Sequence, residues 1–225
     1  MVATPVSNDT AGSQTLTEQA YTLLEEMIVR LELAPGSAVS EAMLSARLGI
    51  GRTPIREALQ RLARERLVRI LPRRGVIVSE IDVKSQLRLL EVRRELERLM
   101  ARAAARRCTP AERERFAELA RAFNRSAVER DDVAFLRIDR EFNELCLQAA
   151  RNEFAATAMG LMNALSRRFW YLHFRQAADL PVTARLHADI ARAIAEANQT
   201  AAAKASDALL DSIESFTRNT VSTDF

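Results

Sequence analysis

The sequence predicts a mainly α-helical protein, in which a small N-terminal unit with one β-hairpin precedes a C-terminal antiparallel bundle of six helices. Apolar residues recur every three or four positions over most of the chain, which is the spacing of amphipathic helices. Six glycines and six prolines among 225 residues leave few turns for a many-stranded β protein. Beyond Ile81 the composition shifts to Ala, Leu, Arg and Glu, so we divide the chain into a disordered tail (1–15), a first unit (16–80) and an all-α unit (81–225).

The first two helices are bounded by local stop and start signals. The first is predicted over Leu16–Leu33, because the turn at Ala34-Pro35-Gly36-Ser37 ends its apolar stripe. Ser40 then caps a short second helix, and Gly49 ends it.

A third helix is predicted over Pro54–Arg66. Thr53 is the expected N-cap and Pro54 the first helical residue, where a missing N–H costs nothing. The inward face consists of Ile55, Leu59 and Leu62.

A separate face of this third helix carries Arg52, Arg56 and Gln60, each four residues from the next. Helix N-termini favour acids, because the helix dipole is positive there. Two arginines at a helix start therefore predict an anionic partner outside the fold, and nucleic acid is the first candidate.

The charge distribution supports this interpretation. The whole chain has 33 basic and 30 acidic residues, a net charge of only +3, whereas residues 47–74 contain nine arginines and two acids, a local surplus of seven. A surplus confined to one segment is typical of a DNA-binding face, whereas ordinary solvated faces mix both signs.

Two β-rich runs, 67–71 and 76–78, flank the basic turn Pro72-Arg73-Arg74-Gly75 and predict a hairpin. Helix, helix, turn, helix and hairpin, in that order, form a winged helix-turn-helix. In this fold the third helix enters the major groove of DNA.

Several motifs of this unit recur together. They are, in chain order, Pro35-Gly36-Ser37, Val39-Ser40-Glu41, Leu44, Leu48-Gly49, Arg52-Thr53-Pro54-Ile55-Arg56-Glu57-Ala58-Leu59, Leu62 and Arg73-Arg74-Gly75-Val76. Residues 16–80 thereby resemble, nearly end to end, the DNA-binding domain of the GntR family of bacterial repressors.

The resemblance implies a role for individual residues. Arg52 and Arg56 would contact bases in the major groove, Thr53 a phosphate, and Arg74-Gly75 the minor groove at the wing tip. Ala42 stands where some FadR-like members have a further DNA-contacting arginine, so a different operator is expected. On spacing and charge alone, Gln60 shares the Arg52–Arg56 face, and Arg47, Arg61, Arg64 and Arg73 are candidates for phosphate contacts.

The second unit begins with a long predicted helix, Val83–Arg107. Thr109, Pro110 and Glu112 then form a capping box that starts the next. Apolar periodicity predicts the five further helices at 110–129, 132–150, 153–178, 182–197 and 200–219. Six helices after a winged helix resemble the FCD effector domain of the FadR-like subfamily, and Glu91-Val92-Arg93 with Leu96-Glu97 fits its opening helix.

Polar residues interrupt the apolar stripes of three of these helices: Arg93, Asp139 and His187, with Asn143 one turn beyond Asp139. An unpaired buried charge is unfavourable, so each is expected to have a partner or a ligand. Three such residues on separate helices predict a polar cavity inside the bundle. We expect a small organic acid there, bound through Arg93 and His187.

A divalent metal such as zinc or nickel is the alternative ligand. Metal-binding FCD domains resemble this chain at Asp139 and His187, but Asn143 and Leu209 stand where two further histidines are expected. The candidate metal ligands would be Asp139, Asn143 and His187, a set poor in nitrogen for a transition metal. The sequence therefore implies no certain cofactor.

The preferred function is a ligand-responsive regulator, a repressor that acts as a homodimer on a two-fold DNA operator. An architectural DNA-binding dimer without effector and a metal-dependent enzyme are the alternatives, and the enzyme lacks a nucleophile motif. Neither a signal peptide nor a membrane-spanning stretch is predicted, and two cysteines without a disulfide framework suit the cytoplasm. Cys146 is expected to be an inert core thiol and His173 a packing residue.

Overall fold

The computed structural model describes residues 15–72, 75–177 and 179–220, with the backbone alone at residues 174–177. The chain divides into two compact units between Glu80 and Ile81. In the described part, no helix is both long and apolar enough to cross a membrane.

The first unit contains three helices and three short strands. They are α1 (Leu16–Val29), β1 (Ala38–Val39), α2 (Glu41–Leu48), α3 (Arg52–Arg64), β2 (Val68–Leu71) and β3 (Gly75–Val78). The three helices contribute fully buried side chains to one core, among them Leu24, Ile28, Leu44, Ile55 and Leu62. The mainly helical fold with a winged helix-turn-helix is as predicted.

The first helix ends four residues earlier than its apolar pattern predicted. Thr15, assigned to the tail, starts α1 through a capping box with Glu18. At the other end Leu31 adopts φ 61°, a left-handed conformation that stops the helix. Leu33 is nonetheless buried, because the chain turns back and its N–H donates to the Met27 carbonyl. Buried apolar residues therefore continue past the end of α1, which is why the sequence pattern made the helix too long.

The start of α3 was also predicted wrongly. Gly51 is the N-cap, no side chain caps the helix, and Arg52 is the first helical residue. Thr53 and Pro54 thus stand second and third. Proline is tolerated there because N–H groups of the first turn have no intrahelical acceptor. The Thr53 hydroxyl is exposed and is not used for capping.

The hairpin is confirmed, and a third strand joins it. The sheet has the antiparallel order β1-β3-β2, with Ile70 opposite Val76 and Val39 on the other side of Val76. At Gly75 (φ +89°) an added Cβ would lie 3.3 Å from the Val39 carbonyl oxygen, so both conformation and space favour glycine. Two residues are too short a run for sequence periodicity to reveal β1.

The second unit contains six helices within its described residues. They are α4 (Val83–Arg107), α5 (Pro110–Glu129), α6 (Asp132–Ala150), α7 (Glu153–Ala177), α8 (Leu180–Ala195) and α9 (Gln199–Thr220). Side chains of Asp82, Thr109, Asp131 and Asp179 cap four of them. The predicted bounds of all six helices agree with the observed ones within two residues, because caps are local signals.

The core of this unit forms where α5 packs on α8 and α4 packs on α9. Phe116 and Phe123 of α5 are fully buried, and both meet Phe142 of α6 edge-on with ring centroids about 6 Å apart. This aromatic cluster surrounds the polar residues described below.

Candidate nucleic-acid interface and polar cluster of the helical unit

The exposed face of α3 carries the side chains that the sequence singled out. Arg52, Arg56 and Gln60 are all exposed, while Ile55, Ala58, Leu59 and Leu62 on the opposite side are buried. The first turn of α3 contains no acid. The helix therefore presents a row of hydrogen-bond donors to solvent, with nothing acidic at its own start to balance them.

A polar clamp fixes α3 to α1. The Tyr21 hydroxyl donates to Glu65 at 2.8 Å, and the Arg61 guanidinium lies 3.5 Å from the centre of the Tyr21 ring while its Nε donates to Glu65 at 3.2 Å. Burial, aided by the hydrogen bond to Glu65, raises the pKa of Tyr21, so its hydroxyl remains a donor. A second link joins Thr17 to Glu57 at 2.7 Å. These contacts hold α3 in a fixed position against α1.

These contacts separate the candidate phosphate-binding arginines. Arg61 is engaged in the clamp, and Arg47 forms an exposed ion pair with Glu32 at 3.3 Å. Arg64 is exposed and forms no ion pair with any described residue. Arg73 and Arg74 lie outside the described residues, whereas Gly75, which follows them, is exposed at the start of β3. Of the three candidates that the structure describes, Arg64 is therefore the one without an ion pair to a described residue.

Arg56 has a carboxylate partner that its spacing did not reveal. Its Nε donates to Glu41 Oε1 at 2.9 Å and its Nη2 to Glu41 Oε2 at 2.7 Å. This hydrogen-bonded arginine holds the pKa of Glu41 below its ordinary value. Glu41 is the first residue of α2, directly after the Ser40 cap, so the pair joins the two helices of the helix-turn-helix.

In the helical unit, Arg93 pairs with Glu97 one turn along α4. Both Nε and Nη2 of Arg93 lie 2.6 Å from Glu97 Oε1, and the two side chains are 16% and 17% exposed. Glu97 occupies the Nε and Nη2 side of the guanidinium, so a ligand for Arg93 must displace Glu97 or use the remaining Nη donors.

His187 of α8 is buried and contacts two acceptors. Its Nε2 lies 3.1 Å from Asp139 Oδ1, and its Nδ1 lies 2.8 Å from the Thr183 carbonyl oxygen. A carbonyl and a carboxylate can only accept, so both ring nitrogens donate when the imidazole is protonated. Burial lowers the pKa of His187, but the hydrogen bond and charge of Asp139 outweigh it and leave the pKa above its ordinary value.

Aromatic rings enclose this ion pair. The rings of Phe123, Phe135 and Phe142 lie with their centroids 5.1, 5.5 and 5.9 Å from that of His187. Glu97 is close enough for its charge to raise the pKa of His187 as well. Carboxylates of α4 and α6 thus both act on the imidazole of α8.

The remaining candidates of this cluster are less favourably placed. Asn143 is exposed on α6, and Leu209 is a buried core residue. Two cavities, of about 310 Å³ between α5 and α6 and about 260 Å³ bordered by α7, α8 and α9, are lined by none of Arg93, Asp139, Asn143 and His187. Within the described ranges, no group of three or more His, Cys, Asp or Glu side chains is placed to hold a metal ion. One imidazole and one carboxylate do not fit a transition-metal site.

Two further residues behave as the sequence indicated. Burial raises the pKa of Cys146 well above its ordinary value, so the thiol is protonated and unreactive. His173 is buried against Phe169, with ring centroids 4.5 Å apart. The charges of Glu97 and Asp139 add to the effect of burial on the pKa of Cys146.

Comparison with known proteins identifies both units. Residues 16–78 match the family of bacterial regulatory proteins called gntR, and residues 88–212 match the FCD domain. The chain is 30% identical over 183 residues to the HTH-type transcriptional repressor RspR of Escherichia coli, covering 81% of this chain and 80% of that protein. The chain belongs to the GntR family and carries an FCD domain.

Other relatives agree with this assignment. The GntR-family regulator is 50% identical over 62 residues to a regulator in an unstable DNA locus of Streptomyces ambofaciens, covering 28% of this chain and 26% of that protein. Among solved structures, McbR/YncC of E. coli has the same fold, with a TM-score of 0.79, 17% identity and coverage of 93% of this chain and 100% of that chain. A putative regulator from Rhodococcus sp. RHA1 has a TM-score of 0.67 at 22% identity, covering 90% and 97% of the two chains.

Family membership makes this chain a DNA-binding transcription regulator of the FadR-like group, not an enzyme. What sequence reasoning missed in the GntR-family regulator was the acidic partners of Arg56 and Arg93. Glu97 follows Arg93 by four residues, a spacing that could have revealed it. Glu41 precedes Arg56 by fifteen residues on another helix, and no local pattern indicates that pair.

Proposed function

We propose that this GntR-family regulator is a repressor that binds a two-fold operator as a homodimer and is released by a small organic acid bound in its helical unit. The observation that carries the DNA-binding part is the exposed row of Arg52, Arg56 and Gln60 on α3. The paired Arg93 and His187 carry the effector part.

At the DNA, α3 would lie in the major groove with its N-terminal end at the base edges. The planar fork of arginine matches guanine O6 and N7, so Arg52 and Arg56 supply sequence preference, and the amide of Gln60 suits adenine. The Thr53 hydroxyl, free of any capping role, is available for a phosphate. Arg73, Arg74 and Gly75 of the wing complete the proposed contact surface.

Two-fold symmetry is expected because a helix-turn-helix monomer contacts only one short half-site. A homodimer presents two α3 helices to two half-sites, about one helical turn of DNA apart or a multiple of it. The relatives named as repressors, RspR and GlaR of E. coli, support repression as the sign of regulation.

The effector would enter by exchanging carboxylates. Arg93 and His187 each already contact a protein carboxylate, so the fold already accommodates both cations. A ligand carboxylate would replace one anion by another. At His187 the ligand carboxylate would take the place of Asp139 on Nε2, because Nδ1 is already bonded to the Thr183 carbonyl. The exposed Asn143 would lie at the entrance. An effector that displaces Glu97 from Arg93 changes a contact within α4.

Release from DNA requires that the effector bind one dimer arrangement more tightly than the other. The same ligand must therefore bind the DNA-bound dimer more weakly than the free dimer, by the same factor as it weakens operator binding. This reciprocity distinguishes a true effector from a compound that merely stabilises the helical unit.

The test begins with duplexes selected from a random-sequence pool by the full-length protein. We expect a two-fold consensus, bound by two chains in sedimentation analysis. Fluorescence anisotropy then compares that duplex with a random one, with and without hydroxy acids and sugar acids. A pool with no enriched sequence at low salt would contradict operator recognition. If no acid raises the melting temperature or releases DNA, the organic-acid effector is wrong and an architectural dimer is favoured.

A further inference from the structure

Glu41 holds the side chain of Arg56 by the geometry in which arginine binds carboxylates most specifically. Two parallel N–H···O contacts, of 2.9 and 2.7 Å, join the two side chains, which are 32% and 58% exposed. Fifteen residues separate them, and each stands on a different helix of the helix-turn-helix. The pair therefore fixes where Arg56 lies relative to α2 as well as to its own helix.

The contact leaves part of the guanidinium available. Arginine has five N–H groups, one on Nε and two on each Nη. Glu41 takes the Nε proton and one Nη2 proton, so three donors remain. Two of them, one on Nη1 and one on Nη2, form the outer edge of the guanidinium. That edge has the spacing needed for guanine O6 and N7. Glu41 and a guanine can therefore bind Arg56 simultaneously.

An arginine without such a partner would behave differently. Its long side chain is mobile, and a phosphate satisfies it as well as a base does. Ordering it at a base edge during binding would cost conformational entropy that the Glu41 contact removes in advance. A carboxylate beside the DNA surface also opposes the attraction of this unit to phosphates, whatever the sequence.

We propose that Glu41 is a specificity-determining positioning residue, which aims Arg56 at a base and lowers binding to DNA of random sequence. This inference rests on the proposed function, in which Arg56 contacts bases. Glu41 would thus raise the preference for the operator, although the charge of Glu41 alone would weaken binding to any DNA.

The chain offers a matched control in the same unit. Glu32 pairs with Arg47 through a single contact of 3.3 Å, and both side chains are about half exposed. Glu32→Gln removes the same charge as Glu41→Gln without touching Arg56. Glu41→Asp keeps the charge but shortens the side chain, so it separates geometry from electrostatics.

The measured quantity is the ratio of the Kd for random DNA to the Kd for the selected operator, over several salt concentrations. For Glu41→Gln we expect tighter binding to random DNA and a ratio lowered by about two- to tenfold, the range for ordering one long side chain. Glu41→Asp should lower the ratio similarly. Glu32→Gln should tighten both duplexes alike and leave the ratio unchanged. Thermal unfolding identifies any variant that does not fold, and the aspartate variant then carries the test.

Arg56→Ala separates failure of this inference from failure of the proposed function. In that background Glu41→Gln should have no further effect on the ratio, because Glu41 acts through Arg56. If Arg56→Ala itself leaves the ratio unchanged, the proposed base contact is wrong. If Arg56→Ala lowers the ratio but Glu41→Gln and Glu41→Asp do not, only the positioning role is wrong. A higher ratio in Glu41→Gln would mean that Glu41 masks Arg56 and would likewise overturn the inference.

Discussion

Arg56 on α3 and Arg93 on α4 each bind a glutamate, yet the two pairs differ in what remains available to another molecule. The Arg56 side chain is 58% exposed and divides its contacts between both oxygens of Glu41, whereas that of Arg93 is 16% exposed and directs two nitrogens at one oxygen of Glu97. The exposed pair can accept a further partner without breaking. The shielded pair leaves the same number of N–H groups unused, but its low exposure restricts what can reach them. The same two residue types therefore suit a macromolecular surface in one unit and a ligand-gated contact in the other.

The largest effect is expected on operator affinity, from the exposed arginines of α3. Arg52→Ala and Arg56→Ala should each weaken operator binding by about 1–3 kcal/mol, roughly 5- to 150-fold, because a bidentate base contact is lost. Much of the weak, salt-sensitive binding to random DNA should remain. Anisotropy titrations with both duplexes provide the measurement, and equal losses on the two would contradict direct base contact.

Breaking the buried pair of His187 should affect stability rather than DNA contact. Asp139→Asn leaves the imidazolium without its counter-charge, and we expect a loss of about 1–3 kcal/mol in unfolding free energy near pH 6. Asp189→Asn is the control, since it alters an exposed pair with Arg192 on the same helix as His187.

The pH dependence of that loss follows from the raised pKa of His187. A raised folded-state pKa stabilises the fold fully below the unfolded-state value of 6.5, and this contribution disappears as pH rises through the folded-state pKa. The difference between wild type and Asp139→Asn should therefore shrink toward alkaline pH. Chemical denaturation from pH 5.5 to 9 tests this, and a difference that stays constant would show that the pair carries no charge.

At Arg93 the expected effect is on the ligand. For an acid that stabilises the wild-type protein, Arg93→Ala should weaken binding by about 10- to 100-fold, the range for losing a hydrogen bond to a charged group. Calorimetry measures the affinity, and anisotropy measures release of DNA. Arg102→Ala, which removes an exposed arginine of the same helix, is the control. Unchanged release in Arg93→Ala would reject this effector site.

The smallest change is expected at Arg64, which the structure leaves exposed. Arg64→Ala should weaken binding to operator and random DNA alike, by less than about 1 kcal/mol, and lower the slope of log K against log salt by about one. A selective loss on the operator would instead make Arg64 a base contact and extend the specific surface beyond the first turns of α3.

Helix bounds in this chain were predictable where the signal was local. The Thr109–Glu112 capping box started α5 where expected, since its members are close in sequence. The start of α3 was not, because Gly51, Thr53 and Pro54 are all compatible with a helix start and only the folded backbone decides among them. The two-residue strand β1 gave no periodic signal at all.

For the sites, spacing identified faces but not partners. It placed Arg52, Arg56 and Gln60 together, but the Glu41–Arg56 contact depends on how α2 packs on α3. Asn143 shows a further limit: residues four apart differ by about 40° around a helix. Asp139 is already 29% exposed at the edge of the buried face of α6. Asn143, one turn later, therefore lies outside that face and is exposed.

The clamp of Tyr21, Arg61 and Glu65 constrains how any signal can act on this protein. Because these contacts join α1 to α3, a displacement of α1 would move α3, the helix proposed to contact bases, as one rigid body. An effector should consequently alter the distance between half-sites that the dimer tolerates while the preferred bases within each half-site stay the same. Affinities for operators with altered spacers, measured with and without the acid, would reveal such a change in the preferred half-site separation.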